Sequence, residues 1–312
     1  MFSRRRLLKL GAAGLVLPHA AFAMTEPPLP PDAGSPLLVL DTGFDDPSYR
    51  HFRDGAALAT AAAARGIDAT GLADLKISGS AQFSVPAWSA LRKGPLSGAV
   101  LDVDLRQESH GFLNGAAVTW AAEDDWSNVT MSHDQAVAVE NQRLAALKQQ
   151  KQVAPPTADA FKHGQSAVGP AVQVQQVANE ELTVIASGAN YLRLTVTDHL
   201  RPHDAEVDRF MAALAAYPAD IRVHVHCRGG DGRTTTFMAL FDMLANADKV
   251  SFDAIAARQA TVSPFYDLSK VAAGPKAVYY QERLEFLQRF HAYAVARRKG
   301  ETKTWSQWSA AN

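Results

Sequence analysis

Cys227 and Arg233 stand six positions apart, with Gly229, Gly230 and Gly232 between them and Thr234 immediately after. A thiolate is a strong nucleophile, and a guanidinium offers a planar fork that grips two oxygens of a phosphate. Glycines adopt backbone angles that other residues resist, so the amides of residues 228 to 233 can turn inward as a nest for an anion. A helix beginning at the arginine adds the partial positive charge of its N-terminus to the same spot. These donors favour the thiolate form of Cys227, and the Thr234 hydroxyl is placed to hydrogen-bond the sulfur as it leaves. The chemistry to which these residue types at this spacing point is displacement at phosphorus.

Two other readings use the same residues. A lone cysteine after a strand is commonly a buried structural residue. His224 and His226 share a strand face beside Cys227, which is a partial zinc set, but no fourth ligand stands nearby in the sequence. The conjunction of histidine, cysteine, three glycines, arginine and threonine favours the phosphate loop over both.

The loop needs a strand before it and a helix after it, and both are legible. Ile221, Val223 and Val225 alternate with Arg222, His224 and His226, and a helix is expected from about Arg233 to Asn246. Leu37–Leu40, Gly98–Leu105 and Leu192–Val196 read as further strands. The acidic-apolar alternation at the end of Gly98–Leu105 predicts one exposed face. Helices are expected over residues 133–152, on a stripe of Ala136, Val139, Leu144 and Leu147, and from Asp204, which is placed to cap Val207, Phe210, Met211 and Leu214. The last clear helix spans 278–299. Residues 153–181 predict loops around short, half-exposed strands. Strands alternating with helices define an α/β protein with a central sheet flanked by helices and a small β-rich part; no internal repeat is present.

Around this core the chain divides into three. Residues 1–23 carry Arg4 and Arg5 ahead of a short apolar stretch and end in Ala21-Phe22-Ala23, the pattern of an export signal with twin-arginine character. That predicts cleavage near Ala23 and a periplasmic or secreted protein. Residues 24–36, with five prolines, predict an extended linker, and 37–312 a single phosphatase-like domain. The net charge of −1 offers no global basic field for nucleic acid, and no apolar run in the mature region is long enough for a stable membrane anchor. With one cysteine there is no internal disulfide. Oligomeric state is not encoded in any pattern found.

His226-Cys227-x5-Arg233-Thr234 resembles the signature of the protein-tyrosine-phosphatase superfamily. More of the chain resembles one branch of it, the bacterial protein-tyrosine-phosphatase-like inositol polyphosphate phosphatases, or cysteine phytases. The matching segments are 77–80, the run Asp102-Val103-Asp104-Leu105-Arg106-Gln107-Glu108-Ser109-His110-Gly111, Thr197-Asp198-His199 with Pro202, the cysteine loop, and Tyr279-Tyr280-Gln281-Glu282-Arg283. The resemblance implies a protein-tyrosine-phosphatase-like core and hydrolysis of inositol phosphates through phosphocysteine, with no cofactor and no metal. It makes Cys227 the nucleophile, Arg233 the phosphate clamp and Asp198 the proton donor on a closing loop. It places His199, Arg201, Arg53, Asp104, Lys270 and Lys276 on the substrate, together with the loop residues Arg228, Gly229, Gly230, Asp231, Gly232 and Thr234. Lys76 is a further candidate cation.

Several residues keep a plain structural alternative: Asp198 as a turn residue, Asp104, Arg106 and Glu108 as an ion-pair network, His110 as a bonded core histidine, and Tyr279 and Tyr280 as helix packing. One departure from the family pattern concerns substrate. A carboxylate at Asp231, inside the loop, repels an anion unless Arg228 or a neighbour neutralises it. A phosphotyrosyl protein is the alternative substrate, and a non-enzymatic phosphate-binding protein the third reading.

Overall fold

The computed structural model describes residues 29–30, 34–164 and 168–312; the expected export signal and most of the linker lie outside them. The chain opens with strands β1 (Leu37–Leu40) and β2 (Arg53–Asp54), helix α1 (Gly55–Ala63), β3 (Ile77–Ala81) and α2 (Val85–Lys93). A run of strands follows, β4 (Val100–Arg106), β5 (His110–Leu113) and β6 (Ala116–Ala121), then α3 (His133–Lys148). Short elements come next: β7 (Gln152–Val153), α4 (Ala158–Lys162), β8 (Val172–Gln173), β9 (Val177–Ala178) and α5 (Glu180–Ala186). The second half alternates β10 (Asn190–Val196), α6 (Asp204–Ala216), β11 (Arg222–Cys227) and α7 (Gly232–Asn246), and ends in α8 (Phe252–Gln259), α9 (Ala277–Arg298) and α10 (Trp305–Ala311).

Five strands form the central sheet in the order β10-β4-β11-β3-β2, parallel except for the edge strand β2. A four-stranded antiparallel sheet, β1-β6-β5-β9, stands beside it, and β7 pairs with β8. The β-rich expectation for residues 153–181 meets three two-residue strands there, one of which, β9, extends the antiparallel sheet; helix α4 within that span was not expected.

Alternation in β4 and β11 has a different cause from the one expected. Asp102 and Asp104 are fully buried, not exposed. In register, Asp102 lies beside His224 and Asp104 beside His226, so one face of the sheet is polar and the other carries Leu101, Val103, Val223, Val225 and Cys227. The apolar face packs with Phe237 and Leu240 of α7 and Phe286 and Phe290 of α9. Each such side chain contributes about 1.5–3 kcal/mol on burial. The polar face is roofed by Phe83, Trp88, Phe112 and Val184, and its charges survive burial because they pair with one another. Asp104 accepts from Tyr191 and lies 3.0 Å from both His110 Nε2 and Arg193 Nη1. Burial and Arg106 disfavour the charged form of His110, yet Asp104 and Glu140 raise it to about 9.

Local sequence sets the helix starts. Ser132 and Gln135 form a capping box at α3, as Thr304 and Gln307 do at α10. The cap of α6 is His203 and not Asp204; Asp204 is the first helical residue, and its carboxylate takes hydrogen bonds from Arg201 and Trp305. Helices α1, α2, α8 and α10 carry no long apolar stripe and were not expected. Trp305 of α10 is fully buried against Phe286, Phe290 and Tyr293. No helix among the described residues is long and apolar enough to cross a membrane.

Candidate active site

Parallel strands end at the same edge of the sheet, and a crevice at that edge is where open α/β folds bind ligands. There β11 ends in Cys227 and α7 starts at Gly232, so residues 228–231 turn through a single tight loop. Gly230 has φ +79°, and a Cβ on it would lie 2.5 Å from the Ala81 amide nitrogen, so only glycine lets the loop rest against the end of β3. Cys227 is 3 % exposed, and its Sγ accepts from the Gly230 N–H (3.3 Å) and the Thr234 hydroxyl (3.2 Å). Asp231 occupies the cap position of α7, and its carboxylate bonds no amide of the first turn.

The zinc set does not assemble. His224 bonds Ser78 (3.0 Å) and Ser80 (3.1 Å), while His226 lies 2.8 Å from Glu180 and 3.5 Å from Asp102, on the strand face opposite Cys227. Burial opposes charge on His226, but Glu180 and Asp102 outweigh it and hold the ring well above the usual histidine range.

Arg233 is almost fully buried and donates from Nη1 and Nη2 to the two oxygens of Glu108 (2.7 and 3.0 Å), and again from Nη1 to the Val196 carbonyl (3.1 Å). Three of its five N–H donors are thus fixed by the protein. The guanidinium cannot rotate, and its remaining donors are left for another acceptor. Burial would raise Glu108, yet Arg233 and Arg106 carry it far below the usual carboxylate range. Arg106 in turn bonds Glu108 (2.8 Å), Gln82 (2.7 Å) and Thr119 (2.6 Å). The sequence offers Glu108 only as a member of an ion-pair network. It is a buried network member, and its work is to hold Arg233.

Asp198 follows β10. Its Oδ1 lies 3.1 Å from Arg233 Nε without an aligned hydrogen bond, and its carbonyl accepts from Trp126 Nε1 (3.1 Å). His199, at φ +69°, bonds the Tyr280 hydroxyl through Nδ1 (3.0 Å) and Lys276 Nζ through Nε2 (3.2 Å). Burial, with Lys276 and Arg233 nearby, lowers His199 despite Asp198. A neutral ring with its proton on Nδ1 satisfies both partners.

A cavity of ≈ 890 Å³ opens above the loop, with Cys227, Asp198, His199, Arg228, Gly229, Asp231 and Gly232 in its wall. The other expected contacts are distributed differently. Arg228 is held by Asp41 (2.9 Å) and Asp125 (2.5 Å), and neutralises those residues and not Asp231. Asp231 pairs instead with His51 Nδ1, at 3.1 Å. Arg53 lies beneath the loop and not in the cavity, donating to Thr235 (2.8 Å) and to the His51 carbonyl (3.0 Å), and burial lowers it to about 10. Arg201 is buried between Pro202, Asp204 and the Phe286 ring. Asp104 is a core residue, as above. Lys270 is exposed and 3.4 Å from Asp267. Lys276 stands beside the cavity, bonded to Asp124 as well as His199. Lys76 is exposed and precedes β3, at the opposite end of the sheet from the loop.

Among the lining residues that escaped the sequence reading are Arg50, Asp41, Asp124, Asp125, Lys162 and Tyr266, and Arg283 was given no role in the site. Arg283 lies between the rings of Tyr266 and Tyr280, 5.1 Å from each centroid. Its one signal was membership of the 279–283 segment, and Tyr280, set down as helix packing, lines the cavity too. Burial, reinforced by Glu108 and Asp198 against Arg228, lifts Asp125 to about 6.

The family model of PTP-like phytases, described by inositol hexakisphosphate, matches residues 103–245. A PTP-like phytase from Bdellovibrio bacteriovorus superimposes with a TM-score of 0.73 at 34 % identity, over 94 % of this chain and 99 % of that one. The chain belongs to the PTP-like phytase family. The PTP-like myo-inositol phosphatase from Mitsuokella multacida, solved with myo-inositol-(1,3,4,5)-tetrakisphosphate, gives a TM-score of 0.79 at 32 % identity, over 92 % of this chain and 49 % of that one. Effector protein hopD2 of Pseudomonas syringae pv. tomato is 34 % identical over 252 residues, 78 % of this chain and 53 % of the relative. The chain thus spans about half the length of that curated relative. As in the phytase structures, helices flank a central sheet.

Proposed function

We propose that the protein is an exported cysteine phosphatase that hydrolyses phosphomonoesters of myo-inositol polyphosphates, phytate among them, through a phosphocysteine intermediate. The observation that carries this reading is that Cys227 and Asp198 share the wall of one cavity, with the locked Arg233 buried behind it, 3.1 Å from the Asp198 carboxylate. In the first step the thiolate attacks phosphorus, the S–P bond forms and the bond to the inositol oxygen breaks. Asp198 supplies the proton that this alkoxide takes up. Loop amides and the unused Arg233 donors hold the other phosphate oxygens as their charge grows. In the second step a water loses its proton to the Asp198 carboxylate and forms the new P–O bond. The S–P bond breaks, and the released thiolate recovers its hydrogen bonds from Gly230 and Thr234. A non-enzymatic phosphate binder would have no use for nucleophile, clamp and acid together.

A phosphotyrosyl substrate is the second reading, and one observation favours it: Phe44, Phe161, Tyr266 and Tyr280 lie in the cavity wall. Phosphate release from inositol hexakisphosphate and from a phosphotyrosyl peptide, assayed side by side, separates the two. The proposal expects the inositol phosphate to be turned over at least tenfold faster at equal concentration. The opposite order contradicts it.

Export rests on Arg4 and Arg5 and on the Ala21-Phe22-Ala23 pattern. Arg4→Lys combined with Arg5→Lys should hold the precursor in the cytoplasm of a host with a twin-arginine pathway. Undiminished export of the double variant, measured by fractionation, contradicts the assignment.

A further inference from the structure

Among the described residues, the wall of the cavity holds seven aspartates against four arginines and lysines. A polyanionic substrate needs cations beyond Arg233, and several of those present are already engaged. Arg228 sits between Asp41 and Asp125, and Lys276 is bonded to Asp124. Asp124 and Asp125 both take left-handed angles, φ 55° and 60°, in the turn that brings their carboxylates to these cations. Asp231 belongs to the loop itself. Its side chain is 47 % exposed, and a Cβ on Gly229 would lie 3.3 Å from its carboxylate, so the carboxylate stands beside Gly229 in the cavity wall. Its ion-pair partner is a histidine and not an arginine.

A phosphate flanking the one being cleaved meets these carboxylates as like charges in a partly enclosed space, where screening is weak. A hydroxyl at the same position meets them as a donor meets a charged acceptor. We infer that Asp124 and Asp231 set the substrate class of this site, selecting sparsely phosphorylated inositols whose scissile phosphate is flanked by free hydroxyls. The selection refines the proposed function and rests on it. Asp231 acts on the group nearest the loop, and Asp124 acts by withholding Lys276 from more distant phosphates.

The test compares kcat/KM for an inositol monophosphate, an inositol bisphosphate and inositol hexakisphosphate, at low and high salt, in the wild type, Asp231→Asn and Asp124→Asn. Asparagine keeps the size of the side chain and tolerates the left-handed backbone of position 124. The wild type should prefer the lower phosphates, and added salt should raise kcat/KM for the hexakisphosphate relative to them. Each substitution should shift the hexakisphosphate-to-monophosphate ratio upward by about threefold to tenfold, the effect of removing one partly exposed like-charge contact. Cys227-dependent release that favours the hexakisphosphate, or a ratio unmoved by both substitutions, overturns this inference alone. Cys227-dependent release confined to a phosphotyrosyl peptide overturns the proposed function and the inference with it.

Discussion

Cys227→Ser should reduce phosphate release from inositol phosphates by about 10⁴–10⁶-fold, the scale of deleting a covalent nucleophile from an otherwise intact site. Serine is isosteric enough to leave the loop as it is. Gly230 still fits against β3, and the Glu108 bridge still fixes Arg233. Binding of an inositol phosphate, measured calorimetrically on the variant, should therefore stay within about threefold of the wild type's KM. A serine oxygen is a far weaker nucleophile toward phosphorus than the cysteine sulfur, so the loss falls on chemistry and not on affinity. Near-normal turnover by the serine variant contradicts a covalent route. Loss of binding along with turnover would mean that Cys227 builds the loop instead of reacting in it.

Asp198→Asn should cost about 10²–10⁴-fold on an inositol phosphate, the range that general acid catalysis supplies. An aryl phosphate, whose leaving group departs with little help from a proton, should lose far less. The structure adds a second expectation. Asp198 Oδ1 rests 3.1 Å from Arg233 Nε, so under the proposed function an incoming phosphate oxygen competes with this carboxylate for that donor. Removing that carboxylate charge should tighten anion binding, and KM should fall together with kcat. Equal losses on alkyl and aryl substrates would show Asp198 to be structural and turn attention to Asp125, which burial lifts to about 6 in the same wall.

The part of the site legible in the sequence is the part built locally. Strand, loop and helix around Cys227 lie within a few turns of chain, and glycine, cysteine and arginine at that spacing have few other uses. Asp198 was legible through family resemblance alone, because an aspartate before a proline-containing turn has many ordinary reasons to exist. Glu108 was placed among ion pairs, but its hold on Arg233 was hidden, since 125 residues separate the two and only the sheet brings them together.

The misplacements share a physical cause. Arginine is long, and its type does not encode its direction: Arg53 turned beneath the loop and Arg201 into the helix packing, while Arg50 and Arg283 reached the cavity. Alternating Asp102 and Asp104 read as an exposed face because a lone strand cannot show that His110, Arg193 and His226 from other elements neutralise it. Short amphipathic helices such as α8 and α10 are held by tertiary packing more than by propensity, and left too weak a stripe to see.

Transfer of phosphate to the sulfur of Cys227 is the central claim, and trapping it is the most direct test. Turnover of a phosphorus-labelled aryl phosphate by the Asp198→Asn protein, whose first step needs no proton donor for that leaving group and whose second step lacks its base, should be quenched during turnover and the protein digested. The account predicts close to one labelled phosphate per site, carried on the peptide that contains Cys227 and lost on longer incubation with water. Continuing release of labelled phosphate with none bound to that peptide at any time point would contradict it.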